Sequence, residues 1–594
     1  MNVVVSSLNA KYIHTCLALR YLKAFCRDEF DIEMAEYTIK DPAMNIVSDL
    51  FRRDPDVLGF SCYIWNIEET IRVVRMMKKI KPELKIVLGG PEVSYDTDHW
   101  MNELPEVDFI VMGEGEETFL HLLREISGDR KYHFVFGVAY RNADGEVCVN
   151  PGRPKLKLDD IPSPHRFAED EAALPNRVVY FETSRGCPFS CQFCLSSIEV
   201  GVRYFDMERT KADLLHLIDS GAKLIKFVDR TFNIKRDYAM EIFQFLIDNH
   251  RGCVFQFEIT ADIMRPEVLD FLAEHAPPGI FRFEIGVQST NDLTNELVKR
   301  RQNFSKLTRT VMKVKESGKI DQHLDLIAGL PEEDYDSFRQ TFNDVFALGP
   351  EELQLGFLKM LRGTGLRHEA DKYGYVYMDQ APYEILGNSI LPFSDLMRIK
   401  RVEDVLEKYW NSHRLDRTVR YLIDRQFDSA FDFFQLFGDY WEERGWQKIG
   451  HQLEDLFERL QSFLEQRGTP DRDVVLGLMK LDYFMNHRYK PRKIWWDFTY
   501  DKNAQASYFR IMAERPEQAS SGFAALGMSE KDLYKHAVLE TIPFDLRRYE
   551  AEGTIDRSRS TLLVVVYAAD GSGPQYFTMP MPSPSREAES VVRN

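Results

Sequence analysis

The 594-residue chain has no apolar run long enough to cross a bilayer. It also lacks a signal-peptide pattern, so a cytoplasmic protein with no membrane partner is expected. A basic excess is missing as well: the formal net charge is -18 and the pI about 5.4. Without a broad basic face to neutralise phosphates, nucleic acid is not expected as a partner, and the short run Arg488-Tyr489-Lys490-Pro491-Arg492-Lys493 reads as a solvated loop. The dinucleotide fingerprint G-x-G-x-x-G is absent, which disfavours NAD and FAD. Cysteine is sparse at eight residues, and Cys16, Cys26, Cys62, Cys148 and Cys253 are scattered, mostly among apolar neighbours, as buried reduced thiols would be. No paired C-x2-C or H-x3-H element accompanies the remaining three, so a closed four-ligand zinc site is not expected.

What is present is Cys187-Pro188-Phe189-Ser190-Cys191-Gln192-Phe193-Cys194, a C-x3-C-x2-C run that follows the apolar strand Val178-Val179-Tyr180-Phe181. Three thiolates on one tight loop can each take one iron of a cubane [4Fe–4S] cluster. No fourth cysteine lies within easy reach, which leaves one iron open to a substrate. A disulfide reading fails, because three neighbouring cysteines cannot all pair locally.

Strand and helix signals alternate on both sides of this run. In the N-terminal part, apolar strands at Val3-Val4-Val5, Val57 to Phe60, Ile86 to Leu88 and Phe109 to Val111 are separated by helical patterns, which predicts a doubly wound parallel sheet. Its ligand belongs beyond the carboxyl ends of the strands. Those ends read Ser61-Cys62-Tyr63-Ile64-Trp65, Gly89-Gly90-Pro91-Glu92-Val93-Ser94 and Gly113-Glu114-Gly115-Glu116, where glycines admit a large ligand close to the backbone.

A hairpin about Asp144-Gly145 and a proline-rich linker follow. Six further strands are predicted at Val178 to Glu182, Leu224 to Val228, Val254 to Glu258, Ile280 to Ile285, Gln322 to Ile327 and Leu353 to Leu358. Six units are too few for an eight-unit barrel, so an open barrel with its site at the carboxyl rim is expected, with Asp229, Glu258 and Asp262 as rim carboxylates. The last third turns helical and aromatic, with a core reading for Phe431 to Phe437 and one late strand, Thr561 to Tyr567. The expected fold is therefore α/β. Residues 1–135 form a Rossmann-like domain, 136–176 a hairpin and linker, 177–372 a partial (β/α)6 barrel, 373–579 a mainly α-helical domain and 580–594 a disordered tail.

The segment Glu182-Thr183-Ser184-Arg185-Gly186-Cys187 through Cys194 resembles the cluster loop of the radical S-adenosylmethionine (SAM) superfamily. That resemblance implies Cys187, Cys191 and Cys194 as ligands of a [4Fe–4S] cluster, SAM on the open iron, and Phe193 near the adenine. The N-terminal domain is similar to the cobalamin-binding domain that precedes the barrel in one large subfamily. This likeness implies cobalamin contacts from Ser61, Tyr63, Trp65, Gly89, Gly90, Val93, Ser94, Gly113, Glu114, Gly115 and Glu116. The axial-histidine run D-x-H-x-x-G of some such domains is replaced by Ser7-Leu8-Asn9-Ala10-Lys11-Tyr12-Ile13-His14-Thr15. His14 lies outside the required spacing and reads as a capping or packing residue ahead of a cobalt ligand, while Tyr63 and Trp65 read either as a cover for the lower corrin face or as aromatic core packing.

Phe283-Glu284-Ile285-Gly286-Val287-Gln288-Ser289 and Asp325-Leu326-Ile327-Ala328-Gly329-Leu330-Pro331 resemble strand motifs of radical SAM enzymes related to methylthiotransferases and oxygen-independent coproporphyrinogen oxidases. By that likeness Glu284 and Gln288 hold the amino acid part or ribose of SAM, Gly329 admits its adenine, and Asp229 belongs to the same site. The motif Leu361-Arg362-Gly363-Thr364-Gly365 completes the pattern.

The resemblance implies a cobalamin-dependent radical SAM methyltransferase that acts on an unactivated carbon through a 5′-deoxyadenosyl radical and methylcobalamin, served by an electron donor such as a flavodoxin or ferredoxin. Three other readings stand beside it: a cobalamin-dependent rearrangement or cyclisation without methyl transfer, a methylthiotransferase-like enzyme, and a non-catalytic cofactor sensor.

Overall fold

The computed structural model describes residues 1–580 except 199–200 and 498. Of the expected tail, residues 581–594 lie outside the described residues. The chain divides after Leu396 into two compact units.

The first unit opens with a seven-stranded sheet: β1 (Val3–Asn9), β2 (Ile32–Thr38), β3 (Val57–Ser61), β4 (Lys85–Gly89), β5 (Phe109–Val111), β6 (Val138–Arg141) and β7 (Val147–Val149). Its order is β2-β1-β3-β4-β5-β6-β7, with β1 to β5 parallel and β6 and β7 antiparallel. Val3, Val4 and Val5 are all buried, because helices cover both faces of the sheet; continuous apolar runs are the mark of such strands. Val4, Leu58 and Leu88 pack into one core layer, and Val5, Val57 and Val87 into the other.

Two elements differ from the sequence expectation. Strand β2 went unread because Ile-Glu-Met-Ala-Glu-Tyr-Thr is an edge strand with few fully buried positions and lacks an apolar run. The hairpin expected beside the linker instead completes the sheet, with Phe109 opposite Tyr140 and Ile110 opposite Ala139.

The barrel half comprises β8 (Val178–Phe181), β9 (Ser184–Cys187), β10 (Gly201–Tyr204), β11 (Leu224–Phe227), β12 (Val254–Ile259), β13 (Phe281–Gln288), β14 (Ile320–Ala328) and β15 (Glu352–Phe357). Six of these form an all-parallel sheet in the order β8-β11-β12-β13-β14-β15. The edges β8 and β15 are not paired with each other, so the barrel is open, as expected. Alternation decides its two faces. Along β13, Phe281, Phe283, Ile285 and Val287 are buried, while Arg282, Glu284, Gly286 and Gln288 are half-buried. The same alternation in β14 gives the sheet one sealed apolar face and one polar face. The antiparallel pair β9–β10 lies outside this sheet and carries Cys187 opposite Gly201. Two short strands, β16 (Val376–Tyr377) and β17 (Ile385–Gly387), follow.

The second unit is mainly helical. Helix Ala430–Glu443 buries Phe431, Phe433, Phe434 and Phe437 completely, and Phe437 stacks on Phe463 of helix Leu453–Arg467 with centroids 4.8 Å apart. The aromatic run is thus core. The single late strand expected at Thr561 to Tyr567 is the middle of three antiparallel strands: β18 (Ala537–Ile542), β19 (Thr561–Tyr567) and β20 (Pro574–Pro580). Proline at both ends of β20 argues against a central strand in the sequence, and β20 is indeed an edge.

Candidate functional site

The cysteine loop is held by a buried carboxylate. Asp229, just beyond β11, accepts hydrogen bonds from the backbone N–H of Thr183 at 3.0 Å, its hydroxyl at 2.6 Å, and the hydroxyl of Ser184. Burial pushes the Asp229 carboxyl up to about 6. Its oxygens therefore hold the start of β9, the strand that delivers Cys187. Gly186 sits at φ +103°, and a Cβ there would fall 1.9 Å from the carbonyl oxygen of Gly201, so only glycine fits the strand pair.

Cys187 and Cys191 are buried and Cys194 is half-buried. Burial raises the pKa of Cys187 and Cys191, and the nearby Cys194 pushes both in the same direction. Among the described residues no group of three or more His, Cys, Asp or Glu converges on a single metal ion. The donor set suits a cubane, in which each thiolate takes its own iron. Arg300, which no sequence motif singled out, places Nη1 3.9 Å from Cys191 Sγ and donates to the carbonyl of Gly286.

The residues expected to hold SAM are spread over the polar face of the barrel and its rim. Glu284 accepts hydrogen bonds from Lys226 Nζ at 2.7 Å and from Gln256 Nε2. Gln288, at the carboxyl end of β13, has φ +69°, and its Oε1 is buried without a hydrogen-bond partner. A left-handed glutamine with an orphaned acceptor costs about 1–3 kcal/mol, which fits a site whose partner is a ligand. Phe193 is half-buried in the turn before Cys194.

Gly329 is different: it lies at φ +93°, and the place of its missing Cβ is filled by Ile385 Cδ1 at 2.0 Å, so protein packing alone already requires this glycine. Asp262 accepts from the backbone N–H of Asn303 at 2.8 Å, a loop role that replaces the expected reach into the barrel. On the polar face, Glu258 and Asp325 flank Glu284; burial raises both, Asp325 to about 7.

Facing this rim is a cavity of about 870 Å³. The loops after β1, β3, β4 and β5 line one side of it, including His14, Ser61, Tyr63, Trp65, Gly89, Gly90, Ser94 and Gly113 to Glu116. Tyr180, Glu182, Arg185, Lys226, Val228, Arg230 and Glu258 line the other. Tyr63 and Trp65 stack nearly parallel, with centroids 4.3 Å apart and planes at 7°, presenting a flat aromatic pair. Gly113, at φ +68°, has no atom within 4 Å of its missing Cβ, an open cradle for a bulky group.

Gly90 is constrained from behind, since a Cβ there would lie 2.6 Å from the Cys62 carbonyl oxygen. Val93, expected among the cofactor contacts, is instead buried in the core behind the loop. His14 pairs its Nδ1 with the Tyr180 hydroxyl at 2.9 Å, and burial lowers its pKa.

Ion pairs fasten the two sides of the cavity. Arg185 of β9 binds Glu116 at 2.6 Å and Glu182 at 2.7 Å, and Arg203 binds Glu114. The Gly-Glu-Gly-Glu turn is thereby tied to the strand pair that carries Cys187. Glu92 is buried, accepts from the Tyr383 hydroxyl and lies 3.5 Å from Arg362 Nε. Arg362 also pairs with Asp96 and contacts His99 Nε2 at 3.2 Å. Glu92 and Arg362 each sat inside a motif read from the sequence, but nothing local signalled their partnership across 270 residues of chain.

Three family models match the chain, two of them over the halves that border the cavity. Residues 3–123 match the B12 binding domain, 181–345 the radical SAM superfamily, and 371–564 a protein family of unknown function, DUF4080. An uncharacterised methyltransferase of Pyrococcus horikoshii is 32% identical over 38% of this chain and 51% of its own length. A 2-(S-pantetheinyl)-carbapenam-3-carboxylate methyltransferase of Streptantibioticus cattleyicolor is 30% identical over 50% of this chain and 46% of its own. An anaerobic magnesium-protoporphyrin IX monomethyl ester cyclase of Rubrivivax gelatinosus is 26% identical over 48% of this chain and 53% of its own. The chain thus spans about half the length of these relatives. The solved structure of the cobalamin-dependent S-adenosylmethionine radical enzyme OxsB, with aqua-cobalamin and S-adenosylmethionine bound, shares the fold at TM-score 0.54 and 16% identity, covering 81% of this chain and 79% of that one.

Proposed function

We propose that this chain, which belongs to the cobalamin-binding radical SAM proteins and carries a DUF4080 domain, is a methyltransferase acting on an unactivated carbon. The observation that carries the reading is the single cavity bordered on one side by the glycine-rich loops of the B12-binding domain and on the other by the rim of the radical SAM barrel. When bound, a [4Fe–4S] cluster on the cysteine loop with SAM would supply hydrogen-abstracting radical chemistry, and cobalamin against the glycine-rich loops would supply a transferable methyl group.

The protein's part is binding, orientation and exclusion of water. Cys187, Cys191 and Cys194 would hold the cluster, with Arg300 beside Cys191 as a fixed positive charge. Glu284 and Gln288 would orient SAM, the second through its orphaned acceptor. Tyr63 and Trp65 would cover a corrin face, and His14 is held at the cavity wall by its Nδ1 contact with Tyr180. The Arg185–Glu116 and Arg362–Glu92 contacts fix the distance between the two cofactor seats. Reduction of the cluster calls for a one-electron donor such as a flavodoxin or ferredoxin.

The cyclase relatives support a second reading, ring formation without methyl transfer. The two are separated by incubating the anaerobically reconstituted protein with methyl-labelled SAM and a cell extract. Label in a released small molecule is expected; label that stays on the protein-bound corrin while 5′-deoxyadenosine accumulates would favour cyclisation. Cys191→Ala is expected to reduce bound iron to background and end 5′-deoxyadenosine formation. Retained formation would remove the loop from the mechanism.

A further inference from the structure

Three cationic side chains other than His14 line the cavity: Arg185, Lys226 and Arg230. Two are spent within the protein, Arg185 on Glu116 and Glu182, and Lys226 on Glu284. Arg230 is not. It follows Asp229 at the carboxyl end of β11, and only its backbone carbonyl is used, by the Thr231 hydroxyl at 2.6 Å. Its guanidinium has no ion pair or hydrogen bond among the described residues.

The position of that charge is informative. Burial raises the pKa of Cys187 on the cluster loop, of Tyr63 on the loop after β3 and of Glu258 on the neighbouring strand, and the charge of Arg230 opposes each of these shifts. It therefore stands within electrostatic reach of both proposed cofactor seats. The residues argued to orient SAM, Glu284 and Gln288, lie two strands away on β13. A guanidinium without an ion pair or hydrogen bond among the described residues, in a part-enclosed cavity, is free to grip an oxyanion through its planar fork of donors. Four carboxylates line the same cavity, of which Glu114 is committed to Arg203 and Glu116 to Arg185. Glu182 is committed to Arg185, and Glu258 faces the cavity with no hydrogen-bond partner among the described residues. A ligand with an oxyanion for Arg230 and a donor group toward Glu258 matches both.

We propose that Arg230 binds an oxyanion of the substrate, a carboxylate or a phosphoryl group, and so determines which class of molecule is presented between the two cofactors. This rests on the reading of the cavity as the place where substrate meets the radical.

The test uses the full-length, reconstituted protein and a small-molecule cell extract split on an anion exchanger into retained and unretained pools. Two readouts are followed: transfer of label from methyl-labelled SAM, and stimulation of 5′-deoxyadenosine formation, which needs radical chemistry but no methyl transfer. The retained pool is expected to stimulate the wild-type protein. Arg230→Gln should raise the amount of pool needed for half-maximal stimulation about tenfold or more, with partial rescue in Arg230→Lys. The dissociation constant for SAM, measured by equilibrium dialysis, should change less than twofold.

Phosphatase treatment of the retained pool separates the two sources: loss of stimulation identifies a phosphoryl group, and survival a carboxylate. Stimulation by the unretained pool alone, by neither pool, or equally in wild type and Arg230→Gln would overturn the proposal. A tenfold weaker SAM affinity in Arg230→Gln would overturn it too, by assigning the guanidinium to SAM. Stimulation without label transfer would count against methyl transfer and leave the anion assignment standing.

Discussion

Gln288 concentrates two local costs in one residue, a left-handed backbone at φ +69° and a buried acceptor without a partner. Native structures keep such combinations where something outside the chain completes them. Replacing Gln288 with glycine relieves strain of about 1 kcal/mol and returns a similar amount as chain entropy, so the stability of the apo protein is expected to stay within about 1 kcal/mol. The dissociation constant for SAM should rise about tenfold or more as the acceptor is lost. Thermal melts and equilibrium dialysis on one preparation check both; unchanged SAM affinity would remove Gln288 from the site. Asp229 shows the converse, a residue expected at the SAM site whose oxygens are occupied by Thr183 and Ser184.

At the scale of elements, the carboxyl ends of strands carry the chemistry, and their loops are held by close backbone packing. The loop after β4 turns at Gly90, φ +105°, directly against the Cys62 carbonyl. Gly90→Ala is expected to destabilise the first unit by about 2 kcal/mol or more and to weaken cobalamin binding, read as a lower melting temperature and a lower cobalt content after reconstitution.

In the second unit, Asp482 of helix Arg472–Met485 accepts hydrogen bonds from the Thr418 backbone N–H at 2.9 Å and its hydroxyl at 2.7 Å, capping helix Asp416–Arg425 from outside. Burial pushes its carboxyl up to about 6. The unfolded chain releases this proton near pH 4 and the folded one near pH 6. Stability is therefore lost as pH rises between them, by about 3 kcal/mol in the limit, and is flat above. Denaturant titrations at pH 4.5, 5.5 and 6.5 should show that fall, and Asp482→Asn should flatten it; an unchanged slope would place the proton elsewhere.

For the whole molecule, division into two compact units predicts more than one unfolding transition. Calorimetry should resolve them, and cobalamin at one hundred times its dissociation constant should raise the stability of the unit ending at Leu396 by about 2.7 kcal/mol. A single transition shifted as a block would show that the chain unfolds as one cooperative body. The ion pairs that join the B12-binding loops to the barrel, Glu116–Arg185 and Glu92–Arg362, explain why sheet and barrel count as one unit although they match two separate families.

The six barrel strands, four of the five parallel strands in the N-terminal sheet and the three-cysteine loop were legible in the sequence. Each is written locally, in apolar runs that must be buried and in thiols at fixed spacing. Strand β2, the sheet membership of the hairpin, and edge strands β18 and β20 were not: β2 is a partly exposed edge, prolines bound β20, and in the largely buried β18 Glu540 and Thr541 interrupt the apolar run. The pairing of Glu92 with Arg362, the service of Asp229 to the cysteine loop, the packing of Ile385 into Gly329 and the unpaired state of Arg230 belong to the tertiary structure alone. Burial and partnership are properties of residues brought together from distant parts of the chain. The sequence by itself thus determined which cofactor chemistry the chain is built around, and only the folded arrangement decided which of its charges remain free to meet a substrate.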